Sequence, residues 1–571
     1  MMVIYSRFLA RFFLALTLCP TSLAVAQSSD STARSAVLAA MRLELARSLK
    51  TFGTQPTPPF FLSYDVTETR SVGMRGAFGT ISGFQDSRRR ALGIDLRVGT
   101  PEFDNTHEVA GGMPSFAFFE RYALAQVPLG HDTLAIRRVI WYQTDALYKR
   151  AIEQLARVKA SSQLRVTPED TSPDFSHEPA IKHVEAPIEL RFDRADWERR
   201  LRAYTAAFAR YNDIYEGDAS LSIEGTTRWY VNSEGSELET SSAYYRLIIS
   251  AYTRAADGMV LPRYESYVAS TPDGLPNDSA VNAAVAKMIE DLHALKKAPV
   301  ITAATAPAIL SGRASGVFFH EVFGHRVEGH RQKSEEEAQT FKGKVGERLL
   351  PRDLSVYFDP TQQRLGSTEL AGFYQYDDEG VAARRVDVVR NGVFAGFLMS
   401  RSPIAGFTHS NGHGRRQPGM AAVARQSNLV VTSSKPVSHD QLKRMLIAEI
   451  KRQNKPFGLI FDDIEGGFTL TTRFTPNAFE VMPIMVYRVF PNGREELVRG
   501  VDLVGTPLIA FSRIVAADDQ VRVFNGVCGA ESGWVPVSAS SPAILISQIE
   551  VQRKEKAQDK PPILPPPGAV P

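Results

Sequence analysis

The segment Phe318-Phe319-His320-Glu321-Val322-Phe323-Gly324-His325 sets two imidazoles and a carboxylate within six residues, among apolar neighbours. Neutral imidazole is a common zinc ligand, and an adjacent glutamate can serve as general base for water at the metal. The familiar metalloprotease pattern spaces its histidines four apart, so both face one side of a helix. Here they are five apart. Five residues of α-helix turn roughly 140° from the starting direction. Both rings reach one metal if the helix loosens, and a π-type turn is the expected form. Gly324 is expected to permit that distortion. The motif is HExxxH, and a regular zincin helix is not what it predicts.

A catalytic zinc needs a third protein ligand and an open position. The chain has two cysteines. Cys19 lies in a segment that reads as an export signal. Cys528, in Phe524-Asn525-Gly526-Val527-Cys528-Gly529, is then the only thiol of the mature chain. It has no intramolecular disulfide partner, so it is expected to be buried, metal-bound or reactive. Two other polar runs stand out, Asp377-Asp378-Glu379-Gly380 and Asn411-Gly412-His413-Gly414-Arg415-Arg416. The three acids could hold a hard metal. They read better as turn and hydrogen-bonding residues, with Asp378 or Glu379 supporting the site from behind its ligands. Arg415 and Arg416 could grip a substrate carboxylate in bidentate fashion, or pair with those acids. His413, with His409 nearby, is a candidate substrate contact.

Several elements recur in a known order: Ser311-Gly312 to Gly316, His320-Glu321-Val322-Phe323-Gly324-His325, the Asp377 run, the Asn411 run, and Gly526-Val527-Cys528-Gly529 with Val535-Pro536-Val537. Tyr230-Val231-Asn232-Ser233-Glu234-Gly235 adds a hairpin in the first half. With these, the chain resembles the TldD/PmbA family of metallopeptidases, on its TldD-like, zinc-bearing side. The resemblance covers most of the mature chain and is strongest from about residue 299 onward. It implies that His320, His325 and Cys528 bind one zinc per chain and that Glu321 activates water. It also implies hydrolysis of unfolded or partly degraded peptides, held as an added strand. The implied partner is a zinc-lacking paralogue of the family, or a second copy in a homodimer. After Glu328-Gly329, where family members often carry Asp, this chain has His330. His330 reads as a substrate-side group or a neighbour of the metal, not as a primary ligand. The competing reading is a non-catalytic, zinc-stabilised peptide-binding or assembly protein. An intact Glu321 counts against it, because a structural site has no use for a general base. Two histidines and a cysteine also match a blue-copper site, but no His and Met cluster follows Cys528.

Positioning these residues calls for two domains, since 571 residues exceed one ordinary domain. The expected class is α+β: an α/β N-terminal domain over 27–298 and a mainly antiparallel C-terminal β-sheet domain over 299–556, which carries the metal-binding helix. Residues 1–26 read as a signal peptide, with Arg7 and Arg11, a short apolar run from Phe12 to Leu18, and an Ala24-Val25-Ala26 cleavage site. Export to the periplasm follows, with no membrane span in the mature form. Residues 557–571 read as a Pro-rich disordered tail. Helices are expected at Ser31–Leu49, Thr133–Lys159, Arg194–Tyr211 (capped by Asp193) and Val281–Lys297. Strands are expected at Phe60–Thr69, Gly79–Val98 and Thr226–Val231, the last turning at Asn232–Gly235 towards Tyr245–Tyr252. The polar stretch 331–350 reads as a solvated loop, with a lid over the site as the alternative. The net charge of +3 and the lack of a basic run give no sign of nucleic-acid binding.

Overall fold

The computed structural model describes residues 21–108, 125–162, 170–473, 479–554, 561, 562, 564 and 567, with side chains from residue 36. Most of the expected signal segment and most of the expected tail lie outside these residues. The chain is α+β, as expected.

The N-terminal half is built on an eight-stranded, largely antiparallel sheet. Pro59–Ala77 pairs with Thr80–Thr100 on one side and with Glu216–Asn232 on the other. Glu216–Asn232 then pairs with Glu237–Arg254, which pairs with Val260–Ala269. Side chains alternate between the two faces of a strand. Leu62, Tyr64, Val66, Val72 and Met74 share one parity, and all are buried on the helix-covered face. Helices Thr21–Phe52 and Thr133–Ser162 cover one end of that face. Helices Arg194–Ala206 and Asp278–Lys297 cover the other. The opposite parity faces the C-terminal half. There Arg228 donates to Asp377 O and Asp378 O at 2.9 Å each, and Tyr230 Oη donates to Glu379 O at 3.0 Å.

The expected helices form, and the Asp193 side chain caps its helix by accepting from Asp196 N. The first hairpin is longer than the sequence reading allowed. Its first strand continues past Thr69 to Ala77 because Val72 and Met74 keep the burial period, and the chain turns only at Phe78 and Gly79, both at positive φ. Residues 331–350 are not a plain solvated loop. A short helix, His330–Lys333, leads into turns that bury Phe341, and Ala338 N donates to Thr471 O at 2.7 Å.

The C-terminal half holds a six-stranded and a seven-stranded sheet. Most pairings are antiparallel. Asn428–Ser433 with Gly533–Ser541 and Ala304–Leu310 with Gly458–Thr469 are parallel. Between the sheets lies the helix Gly312–Val322, whose N-cap Ser311 accepts from Ala314 N. Its Val317, Phe318, Phe319 and Val322 join strands of both sheets in one core. Glycine at 316 permits this depth: a Cβ there would sit 2.6 Å from Ala539 O. Among the described residues, no helix is long and apolar enough to cross a membrane.

Candidate metal centre

The two histidines converge by a route the spacing did not predict. The α-helix ends at Val322, Phe323 follows at φ −112°, and Gly324–Val327 tightens into a 3₁₀ turn that carries His325. The expected π-type turn is therefore corrected: the helix stops and narrows instead of widening. Gly324 serves close approach and not a distorted backbone. A Cβ there would fall 1.9 Å from Gln426 Oε1, and Gln426 Nε2 donates to His320 O at 3.3 Å. The imidazole centroids end 5.1 Å apart at an interplanar angle of 82°.

Cys528 comes from Arg522–Ala530, the last strand of the six-stranded sheet. Its Sγ lies 3.3 Å from His325 Nε2. Donor atoms of His320, His325 and Cys528 all lie within 4.8 Å of one another, and all three residues are buried. A tetrahedral zinc with ordinary Zn–S and Zn–N lengths separates such donors by about 3.5 Å. The donor set and its spacing thus fit a metal with little movement.

The charges around the donors are ordered. Glu328, wholly buried, offers Oε2 to His325 Nδ1 at 3.2 Å and to Arg331 Nε at 2.9 Å. Burial opposes its charge, yet His325 and Arg331 hold the carboxyl down at about 2. A carboxylate on the far nitrogen fixes the tautomer and orientation of a metal-binding histidine. Burial also works against a thiolate at Cys528, but the imidazoles of His325 and His320 hold that thiol well below its ordinary range. At Glu321 burial wins over the neighbouring imidazoles and pushes the carboxyl up. A carboxyl moved towards neutrality suits a group that must both take and return a proton. The strand Gly458–Thr469 passes beside it, since a Cβ at Gly467 would lie 2.8 Å from Glu321 Cγ.

The donors open onto a cavity of 1110 Å³ between the two halves of the chain. Phe61, Asp95, Arg97 and Tyr230 line it from the N-terminal sheet, with Gly466–Thr472 and Gly526–Glu531 opposite. Of the residues singled out in the sequence, Glu321, His330, Arg416, Asp378 and Glu379 also face this cavity. His330 Nε2 pairs with Glu531. Arg416 Nη2 lies 3.2 Å from Asp65 Oδ2, and its backbone N donates to Asp378 Oδ2 at 2.8 Å. Glu379 Oε2 accepts from Arg401 N at 2.7 Å. Burial pushes Glu379 up to about 8 and Asp377 to about 7, the latter despite three backbone N–H donors. The carboxylate behind His325 is Glu328, not Asp378 or Glu379.

His413 and Arg415 do not reach the cavity, which corrects their expected substrate contact. His413 is wholly buried, with Nε2 3.1 Å from Ser427 Oγ and Nδ1 3.2 Å from Asn411 Oδ1. Burial lowers it to about 3. Arg415 Nη1 donates to Gln426 O at 2.7 Å and Pro536 O at 2.8 Å. Sequence reasoning missed Arg331, Arg425, Gln426 and Glu531, and it met Glu328 only as a flank of His330. Its place three residues after His325, one helical turn on, was the available signal.

Residues 303–553 match the family model described as the PmbA/TldA metallopeptidase C-terminal domain. A metalloprotease of Archaeoglobus fulgidus is 27% identical over 259 residues, covering 45% of this chain and 56% of that protein. A metalloprotease TldD homolog of Haemophilus influenzae is 26% identical over 251 residues, covering 43% and 48%. The chain thus spans about half the length of the curated relatives it matches. Among solved structures, TldE from Thermococcus kodakarensis superposes with a TM-score of 0.57 at 16% identity, over 90% of this chain and 100% of that one. A Thermotoga maritima protein described as a modulator of a DNA gyrase does so with 0.59 at 14% identity, over 89% and 99%. At these identities the structures show a shared fold and nothing more. The match of the C-terminal half and the names of the relatives together support membership of the TldD/PmbA family.

Proposed function

We propose that this chain is a zinc-dependent metallopeptidase of the TldD-like branch, which hydrolyses unfolded or partly degraded peptides. One observation carries the reading: the donors of His320, His325 and Cys528 converge within 4.8 Å in the wall of a peptide-sized cleft, next to Glu321. Zinc held by these three residues would supply Lewis-acid polarisation of the scissile carbonyl and a lowered pKa for water. Glu321 takes the proton from the attacking water on its carboxylate and returns it to the leaving amine. Glu328 keeps the His325 ring turned so that Nε2 faces Cys528.

Two strand edges support an extended substrate. The strand Gly458–Thr469 pairs with Ala304–Leu310 only through residues 459–461, and Arg522–Ala530 is the last strand of its sheet. Both border the cleft, and unpaired strand edges recruit extended peptides through backbone hydrogen bonds. The signal-like N-terminus adds export to the periplasm to the proposal. The likeness to a TldE structure favours a zinc-lacking paralogue as partner, with a homodimer as the alternative.

Glu321→Gln tests the reading against a non-catalytic peptide clamp. The variant is expected to keep zinc and bind peptide while losing hydrolysis of an unfolded peptide library. Hydrolysis that survives this change sinks the general-base role.

A further inference from the structure

Arg425 is fully buried, and its guanidinium meets the proposed metal ligands from behind. Nη2 donates to Cys528 Sγ at 3.2 Å and to Cys528 O at 2.9 Å. Nη1 donates to Ser532 Oγ at 2.8 Å and to Gly533 O at 3.1 Å, in the turn that follows Cys528. Nε lies 3.4 Å from Glu328 Oε1, and the other oxygen of Glu328 meets His325 Nδ1 at 3.2 Å. One planar group therefore ties the sulfur of one segment to the carboxylate that orients the imidazole of another.

The chemistry of that placement is specific. A thiolate gives a metal more electron density than an imidazole does. A cationic N–H on the sulfur withdraws part of that density, as neighbours of metal ligands generally tune the metal. Only a rigid fork donates to sulfur and backbone while its charge also sits beside the carboxylate; a lysine ammonium cannot span all three. We propose that Arg425 is a positioning residue that sets Cys528 and His325 for the metal and tempers the thiolate's donation to it. This rests on the metallopeptidase reading above. It explains how a site with one thiolate keeps a metal electrophilic enough to polarise a peptide carbonyl.

The test uses the full chain as wild type, Arg425→Gln and Arg425→Lys. Zinc affinity is measured by competition with a chromophoric chelator. The sulfur-to-metal charge-transfer band is read after loading with Co²⁺, and circular dichroism of the metal-free proteins checks the fold. Arg425→Gln is expected to weaken zinc binding about 10- to 100-fold and to move the band to lower energy, because an unmasked thiolate gives up electrons more readily. Arg425→Lys is expected to recover part of the affinity with an intermediate band. A folded Arg425→Gln with wild-type affinity and an unmoved band overturns the proposal. Should Arg425→Gln not fold, wild-type affinity and band position in Arg425→Lys overturn it equally. A wild-type protein that binds neither metal overturns the metallopeptidase reading itself, and this inference falls with it.

Discussion

His325 and His413 are both buried, both follow a glycine, and both stood out in the sequence. Their surroundings move them in opposite directions. Around His325, burial disfavours the charged ring, but Cys528 and Glu328 outweigh it and hold the pKa well above the ordinary value. Around His413 there are Ser427, Asn411 and the edge of Phe358; burial, with a smaller push from the Arg415 and Arg384 charges, holds the ring neutral. Burial alone does not mark a functional histidine; the sign of the charge beside it does. The first ring sits between a donor and an orienting carboxylate. The second is a hydrogen-bonded piece of the core.

That contrast can be broken most directly by metal content. His325→Ala and Cys528→Ser are each expected to lower zinc from one per chain to near none by elemental analysis, while His413→Asn leaves it unchanged. Zinc lost from a folded His413→Asn protein would erase the distinction. Glu328→Gln sharpens it: loss of the carboxylate behind His325 is expected to cost about 10- to 100-fold in zinc affinity. Smaller effects separate the two in stability. Replacing His413 with Ala leaves Ser427 Oγ short of a partner and opens a cavity, costing about 1–3 kcal/mol in a urea melt.

The pH dependence of stability carries a sign for each group. His413 lies at about 3 in the fold against 6.5 in the unfolded chain, so the unfolded state binds the extra proton between those values. Its contribution is complete above about 6.5 and is lost as the pH falls towards 3, at about 1.4 kcal/mol per unit. Glu379 runs the other way. Its folded value of about 8 lies above the ordinary 4.5, so stability present below 4.5 is lost as the pH rises through 8. Urea midpoints from pH 4 to 8 are expected to show a flattened acid limb in His413→Asn and a flattened alkaline limb in Glu379→Gln. Unchanged limbs would mean that neither group stays neutral in the fold.

The parts of the site legible in sequence are those set by local spacing. His320, Glu321 and His325 announce themselves within six residues, and Cys528 stands out by being alone. Asp193 and the helical periods gave the N-terminal helices. What stayed hidden depends on side chains that meet across long separations. Gln426, which forbids a side chain at 324, comes from 106 residues beyond His320. Arg331 meets Glu531 across 200 residues. The first hairpin was read short because Ser71, Gly73 and Gly76 dilute an alternation that Val72 and Met74 in fact maintain. The Asn411–Arg416 run reads in sequence as a source of substrate contacts or of pairing with the Asp377 acids. Its interior placement follows from Asp377, whose Oδ2 accepts Gly414 N at 2.9 Å and draws the run inward.

The separation of 203 residues between His325 and Cys528 has a consequence for the order in which the molecule comes into being. The sulfur belongs to a strand near the end of the chain, whereas both imidazoles are made long before it. A ribosome that has finished the helix has produced two donors without their third. Closing so long a loop costs chain entropy that the metal alone need not supply, because the sheet pairing of the last strands brings the sulfur in. A prematurely ended chain, or one whose C-terminal strands have frayed, is therefore left with an incomplete donor set. On the proposed reading, hydrolytic power arrives only with the last strands and departs with them, which keeps a half-made peptidase from acting on the unfolded chains around it.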